Sequence, residues 1–182
     1  MTMKDDNELV QEVIHGSISS FEVLIDRYQK TVFNMMLRMT CNTETAKDLT
    51  QEAFVKAFEK MGGFDFRFRF YSWIYRIAVN EMISWSRKRQ SMERLDMCES
   101  LPADMTESHA PETRTHLLRH ELLRLDPDYR ILILLKYFCG LSYQEINEVT
   151  GIPLKKVRSR LFIAREQLRK KLIANGFFES ET

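Results

Sequence analysis

Apolar residues recur at three- and four-residue spacing along most of the chain, and glycine, proline or a capping side chain stands at nearly every break. Leu9, Val10, Val13 and Ile14 predict a short helix from Asp5 to His15, stopped at Gly16. Ser19-Ser20-Phe21-Glu22 reads as a capping box opening a long helix to about Met39. A third helix is expected from Thr43 to Met61, ended by Gly62-Gly63, and a fourth from Phe70 to Arg89 with Ile74, Ala78, Met82 and Trp85 as its buried stripe. Helical periodicity resumes near Thr113. Asp126-Pro127 starts a helix filled by Ile131 to Leu135, and Gly140 breaks it. A second capping box, Ser142-Tyr143-Gln144-Glu145, opens a short helix. Gly151-Ile152-Pro153 separates that helix from a long basic one ending near Asn175-Gly176. The expected fold class is therefore all-α, as two small helical domains, residues 1–90 and 113–182. Residues 91–112 carry Glu93, Asp96, Glu99, Asp104, Glu107 and Glu112 with two prolines and no sustained period, and are expected to form a flexible acidic linker.

The 182 residues are 44% hydrophobic and 29% charged, enough to bury a core. Twenty-seven Lys and Arg against 26 Asp and Glu give a net charge of +1, so the total charge predicts no anionic partner. The distribution does, because from Lys155 to Lys171 eight basic residues face only Glu166. Cys41, Cys98 and Cys139 are odd in number and form no C-x-x-C pair, which favours a reducing cytoplasmic setting. No basic n-region and no stretch of about 20 apolar residues occurs, so direct membrane insertion is not expected. No nucleophile, phosphate loop or carboxylate pair stands out, and neither enzymatic activity nor a cofactor is expected. His116 and His120 at i,i+4, with Cys98 or His109, are the one arrangement that could ligate zinc, but exposed histidines at a helix start are commoner and no metal is expected.

Short helix, glycine turn and long basic helix over Leu141 to Leu172 have the layout of a helix-turn-helix. Val157, Leu161, Ala164, Leu168 and Leu172 share one stripe of the last helix and must face a core. Lys155, Ser159 and Phe162 project roughly oppositely, with Lys156, Arg158 and Arg165 adding charge. Arg158 offers a bidentate fork to guanine, Ser159 donates or accepts, and Phe162 suits a thymine methyl. The alternative is a merely solvated basic face with Phe162 covering the rim of the core, but the capped preceding helix, glycine turn and helix-start proline together favour DNA binding. In the first domain, Phe64, Phe66, Arg67 and Arg69 interleave rings with guanidinium groups, and Trp73, Arg76, Asn80 and Arg87 follow on one helix side. Base stacking with phosphate neutralisation needs those residue types. Packing of Trp73 against a neighbouring helix explains it equally well. The alternation of Phe and Arg permits a short strand, but a loop between helices fits better after two glycines. Asp48, Glu52, Val55 and Glu59 form an outward stripe on the third helix, either merely solvated or reserved for a basic protein partner.

Taken together, the chain resembles a bacterial RNA polymerase sigma factor of the extracytoplasmic-function group. Asp48-Leu49-Thr50-Gln51-Glu52-Ala53-Phe54 resembles the family's core-polymerase-binding segment D-L-x-Q-E-x-F. Phe70-Tyr71-Ser72-Trp73-Ile74-Tyr75-Arg76-Ile77-Ala78-Val79-Asn80 resembles its promoter-opening segment F-x-T-W-L-Y-R-I-A-x-N. Leu141 to Ile146 and Gly151 to Leu161 resemble its minus-thirty-five-binding motif, with Lys155-Lys156 where Gly-Thr is common. The loop Asp65 to Arg69 is more aromatic and basic than the family's usual version. The resemblance implies core polymerase binding by Asp48, Leu49, Gln51, Glu52, Phe54 and Val55, with the largest subunit's coiled coil and the flap region as the polymerase elements engaged. It also implies contact with melted and duplex promoter DNA, and an anti-sigma factor as regulator. The competing expectation is a stand-alone helix-turn-helix regulator that never enters polymerase, although nothing resembles the dimerisation helix such proteins commonly use.

Overall fold

The computed structural model describes residues 4–92 and 112–177. Helix α1 spans Asp6–Ile14, α2 Ile18–Thr40, α3 Thr43–Lys60 with a 3₁₀ turn at Met61–Gly63, and α4 Phe70–Met92. Helix α5 spans Glu112–Leu123, α6 Pro127–Ile133 running into a π-helical turn at Leu134–Phe138, α7 Tyr143–Thr150 and α8 Leu154–Ala174. No strand occurs among the described residues, and the aromatic segment before α4 is a loop with a turn at Asp65–Phe68. The expected acidic linker falls, from residue 93 to 111, outside the described residues, with Cys98 and His109.

Two compact units result, the first centred on α1–α4 and the second on the helices from α5 onward. In the first, α2 packs on α1, α3 and α4, and α3 packs on α4. Leu24, Met35, Met36, Leu37, Met61, Phe70 and Ile74 are fully buried there. Unbranched methionines fill the irregular space where helices of different length converge. Ala46, Ala53 and Ala57 are buried along α3, and their small side chains let α2 and α4 approach. Helix α4 buries Ile74, Ala78 and Met82 as expected, but Tyr75, Ile77 and Val79 as well, because α2 and α3 both cover it. In the second unit α8 packs on α5 and α6, with Leu132, Leu134, Leu135, Leu141 and Ile146 in the core.

Two local expectations are revised. Helix α2 starts earlier than the Ser19–Glu22 box implies, with Ser17 as the cap accepting from the Ser20 amide. Ser19 falls inside the first turn, its hydroxyl 3.2 Å from Ser17 Oγ, and the Ser20 hydroxyl donates to Glu12 at 2.5 Å, tying α2 to α1. The run Ile131 to Leu135 does not end as a regular α-helix. Its carbonyls are taken by Cys139 and Leu141 amides across a widened turn, Cys139 N to Leu134 O and Leu141 N to Leu135 O both at 3.0 Å. That widening turns Tyr137 and Phe138 outward, 54% and 44% exposed.

Candidate nucleic-acid and polymerase interfaces

Helix α7 begins with a complete capping box. The Ser142 hydroxyl accepts from the Glu145 amide, and the Glu145 carboxylate accepts from the Ser142 amide at 2.7 Å. It ends at Gly151, whose φ of +71° is left-handed and favours glycine. The Asn147 amide donates to Ile152 O at 2.7 Å and fixes the turn. Pro153 then sets the start of α8. Val157, Leu161, Ala164 and Leu172 are buried, which forces Lys155, Lys156, Arg158, Ser159, Phe162 and Arg165 outward, all exposed. At about 100° per residue, Arg158 and Arg165 lie about 20° apart on one flank, roughly 10 Å apart along the axis. Arg165 donates to the Tyr137 hydroxyl at 3.4 Å, so the π-helical turn borders that flank. Ser159 donates to Lys156 O at 3.2 Å and keeps its acceptor capacity outward. Phe162 is 59% exposed, a large ring on a charged face with no core to cover.

The aromatic loop of the first unit is a connected set of rings. Phe64 meets Phe66 at 5.1 Å and Trp73 at 5.3 Å, both nearly perpendicular, and Phe70 meets Trp73 at 5.9 Å. Trp73 therefore packs against Phe64 of the loop and Phe70 of its own helix and remains half-buried. Phe66, Arg69, Arg76 and Asn80 are exposed beside it. Phe64 is buried and supports the cluster from beneath. Arg67 is held by Asp65 through Nε at 3.0 and 2.9 Å and Nη2 at 2.6 Å, and this fork keeps the Asp65 carboxyl below the usual carboxylate range. A phosphate would have to compete with that pair. The Arg87 side chain lies outside the described residues.

On α3, Asp48, Gln51, Glu52 and Val55 are exposed, whereas Leu49 and Phe54 are buried. Both stand on the packed side of α3, where Phe54 meets Phe21 of α2 edge-on at 6.4 Å. Lys56 donates to Glu81 on α4 at 2.5 Å and lies 3.0 Å from Glu52. Hydrogen bonds to Glu81 first and Glu52 second raise its pKa. Glu52 is thus partly neutralised on its inner side, while Asp48 has no ion-pair partner among the described residues. Beside this face lies an open groove of about 1080 Å³ between α2 and α3, walled by Ile18, Phe21 and Phe33 on one side and Phe54, Val55 and Phe58 on the other. Sequence reasoning missed the α2 wall. Its signal was a second apolar stripe, Ile18, Phe21, Ile25 and Phe33, beside the core stripe.

Among the described residues no cluster of three or more His, Cys, Asp or Glu side chains could hold a metal, and His120 is instead 2.9 Å from the buried Glu121 carboxylate. No helix among them is long and apolar enough to cross a membrane.

Residues 24–92 match the family description Sigma-70 region 2, and residues 115–168 match Sigma-70, region 4. The RNA polymerase sigma-H factor of Pseudomonas aeruginosa is 31% identical, covering 94% of this chain and 96% of its own length. The ECF RNA polymerase sigma factor SigW of Bacillus subtilis is 32% identical over 90% of this chain and 94% of its own. The fold also resembles that of the sigma factor RpoE from Bartonella quintana, solved with the anti-sigma factor NepR. That likeness has a TM-score of 0.72 at 22% identity, covering 85% of this chain and 98% of the other. With regions 2 and 4 matched in succession and relatives above 30% identity aligned over nearly their full length, the chain belongs to the extracytoplasmic-function sigma factors of the sigma-70 family.

Proposed function

We propose that this sigma factor carries core RNA polymerase to promoters through three separate surfaces. The exposed acidic face of α3, Asp48, Gln51, Glu52 and Val55 supported by Leu49 and Phe54, docks on a basic helical element of the largest subunit. Phe66 and Trp73, backed by Phe64, receive unstacked bases of the opened minus-ten strand, and Arg67, Arg69, Arg76, Asn80 and Arg87 supply charge and hydrogen bonds for its backbone. Lys155, Lys156, Arg158, Ser159, Phe162 and Arg165 dock α8 in the major groove of the minus-thirty-five duplex, while the flap region of polymerase holds the second unit. Residues 1–90 and 113–182 act as the two domains and 91–112 as the acidic tether. The chain works in the cytoplasm, without a cofactor or a reaction of its own. An anti-sigma factor restrains it by covering these same surfaces.

What carries the reading is that one chain pairs an exposed, partly uncompensated acidic face on α3 with an exposed basic face on α8, in separate units. A stand-alone operator-binding regulator has use for the second face alone. Reconstitution with core RNA polymerase, followed by mapping of transcription start sites, tests it. Defined starts that appear only with the chain support the reading. Failure to join polymerase, or joining without directing initiation, overturns it.

A further inference from the structure

A chain of contacts runs from α1 to the aromatic loop, although α1 carries none of the surfaces above. The Asp6 carboxylate accepts from Arg27 Nη1 at 2.7 Å and from the Tyr28 hydroxyl. Arg27 Nη2 donates to Lys4 O at 2.6 Å, closing the start of α1 onto α2. Asp6 and Arg27 side chains are only 22% and 21% exposed, so their charges meet away from bulk water. The Tyr28 ring lies 5.5 Å from Phe70 at 50°. Phe70 is fully buried and touches both Trp73, at 5.9 Å, and Phe64, at 6.3 Å. Phe64 in turn reaches Phe66. Burial, and then the Asp6 carboxylate, push the Tyr28 phenol well above its ordinary range, so the hydroxyl remains a donor throughout the physiological range.

We propose that Asp6 and Tyr28 are positioning residues for strand opening: the carboxylate fixes the roll of the Tyr28 ring, and the ring sets Phe70 and through it Trp73 and Phe66. The inference rests on the reading of the aromatic loop as the receiver of unstacked bases. The physical reason is that tilted ring pairs hold a preferred angle, so a ring pinned at its polar tip transmits orientation to its neighbours. Leu9, Val10 and Val13 are buried and hold α1 in place by packing, which leaves the hydroxyl to govern orientation more than attachment.

The test uses the full chain with core polymerase on a promoter fragment defined by start-site mapping, as intact duplex and as the same fragment carrying a mismatched bubble at minus ten. Tyr28→Phe keeps the ring and loses the hydroxyl, and Asp6→Asn weakens the acceptor. Thymine reactivity to permanganate reads opening of the duplex, the rate of stable-complex formation is read on the bubble, and assembly on core polymerase is measured in parallel. Each variant is expected to open the duplex about three- to tenfold more slowly, the loss of one hydrogen bond's worth of order. The double variant should be little slower than either single one, and all should match the unsubstituted chain on the bubble. Opening of the duplex at the unsubstituted rate by both variants overturns the proposal. So does an equal slowing on duplex and bubble, which would mark a general structural defect. If the unsubstituted chain itself opens nothing, the parent reading falls and takes this one with it.

Discussion

Removing Arg158 isolates base reading from charge. Its guanidinium is exposed on α8 and has no ion pair or hydrogen bond among the described residues, so Arg158→Ala costs the fold only a few tenths of a kcal/mol, as exposed substitutions do. A bidentate contact to guanine is worth about 1–3 kcal/mol, so the dissociation constant for the minus-thirty-five duplex should rise about 5- to 150-fold. Lys170, exposed farther along α8, provides the contrast: Lys170→Ala removes one phosphate neutralisation, lowers the salt slope by about one and weakens all duplexes alike. Fluorescence anisotropy on cognate and scrambled duplexes, across a salt series, gives both quantities. The reasoning predicts that Arg158→Ala shrinks the cognate-to-scrambled ratio while Lys170→Ala leaves it intact. Equal losses on both duplexes for Arg158→Ala would refute a base-reading role and leave that residue as a phosphate contact.

Charge reversal on α3 should separate the units functionally. Asp48→Lys is expected to abolish most holoenzyme assembly in a pull-down on core polymerase while minus-thirty-five duplex binding stays normal, and Glu52→Lys should act similarly but also repel Lys56. Leu161→Ala, at a position 1% exposed, should cost the second unit about 2–5 kcal/mol and lower its melting transition without shifting that of the first. The Asn42 side chain accepts from the Thr45 amide at 2.8 Å, so Asn42→Ala should destabilise the first unit by about 1 kcal/mol in urea unfolding. The Asp65 carboxyl titrates below its ordinary value, so the stabilisation it gives the loop is complete above the unfolded carboxylate range and disappears as pH falls through the lowered value. The Arg67 Nε–H chemical shift should move in that acidic window and stay flat above it.

Most of the architecture is local and was legible. Periodicity and stop signals placed the helices because helix start, stop and buried face depend on residues within a turn of one another, as with Ser142–Glu145, Gly151 and the Val157 to Leu172 stripe. Where a distant partner competes, the local signal fails. Helix α2 is capped by Ser17 rather than Ser19 and is tied to α1 there by Ser20 and Glu12, and the carbonyls of Leu134 and Leu135 bond farther ahead than an α-helix allows. The interfaces divide the same way. Residue types and face membership on α3 and α8 were readable, but the burial of Leu49, Phe54 and Phe64, and the engagement of Arg67 by Asp65, were not, since each depends on what the neighbouring segment does with the space.

The sequence by itself determined that this is a helical chain with an acidic face in one half and a basic one in the other, because charge and apolar period are properties of order along the chain. Only the tertiary structure decided which rings are free and which are walls, opened a groove between α2 and α3, and brought Asp6 within reach of Tyr28. Those outcomes depend on close packing between segments far apart in the chain, where one side chain's position is set by volumes that no local pattern encodes.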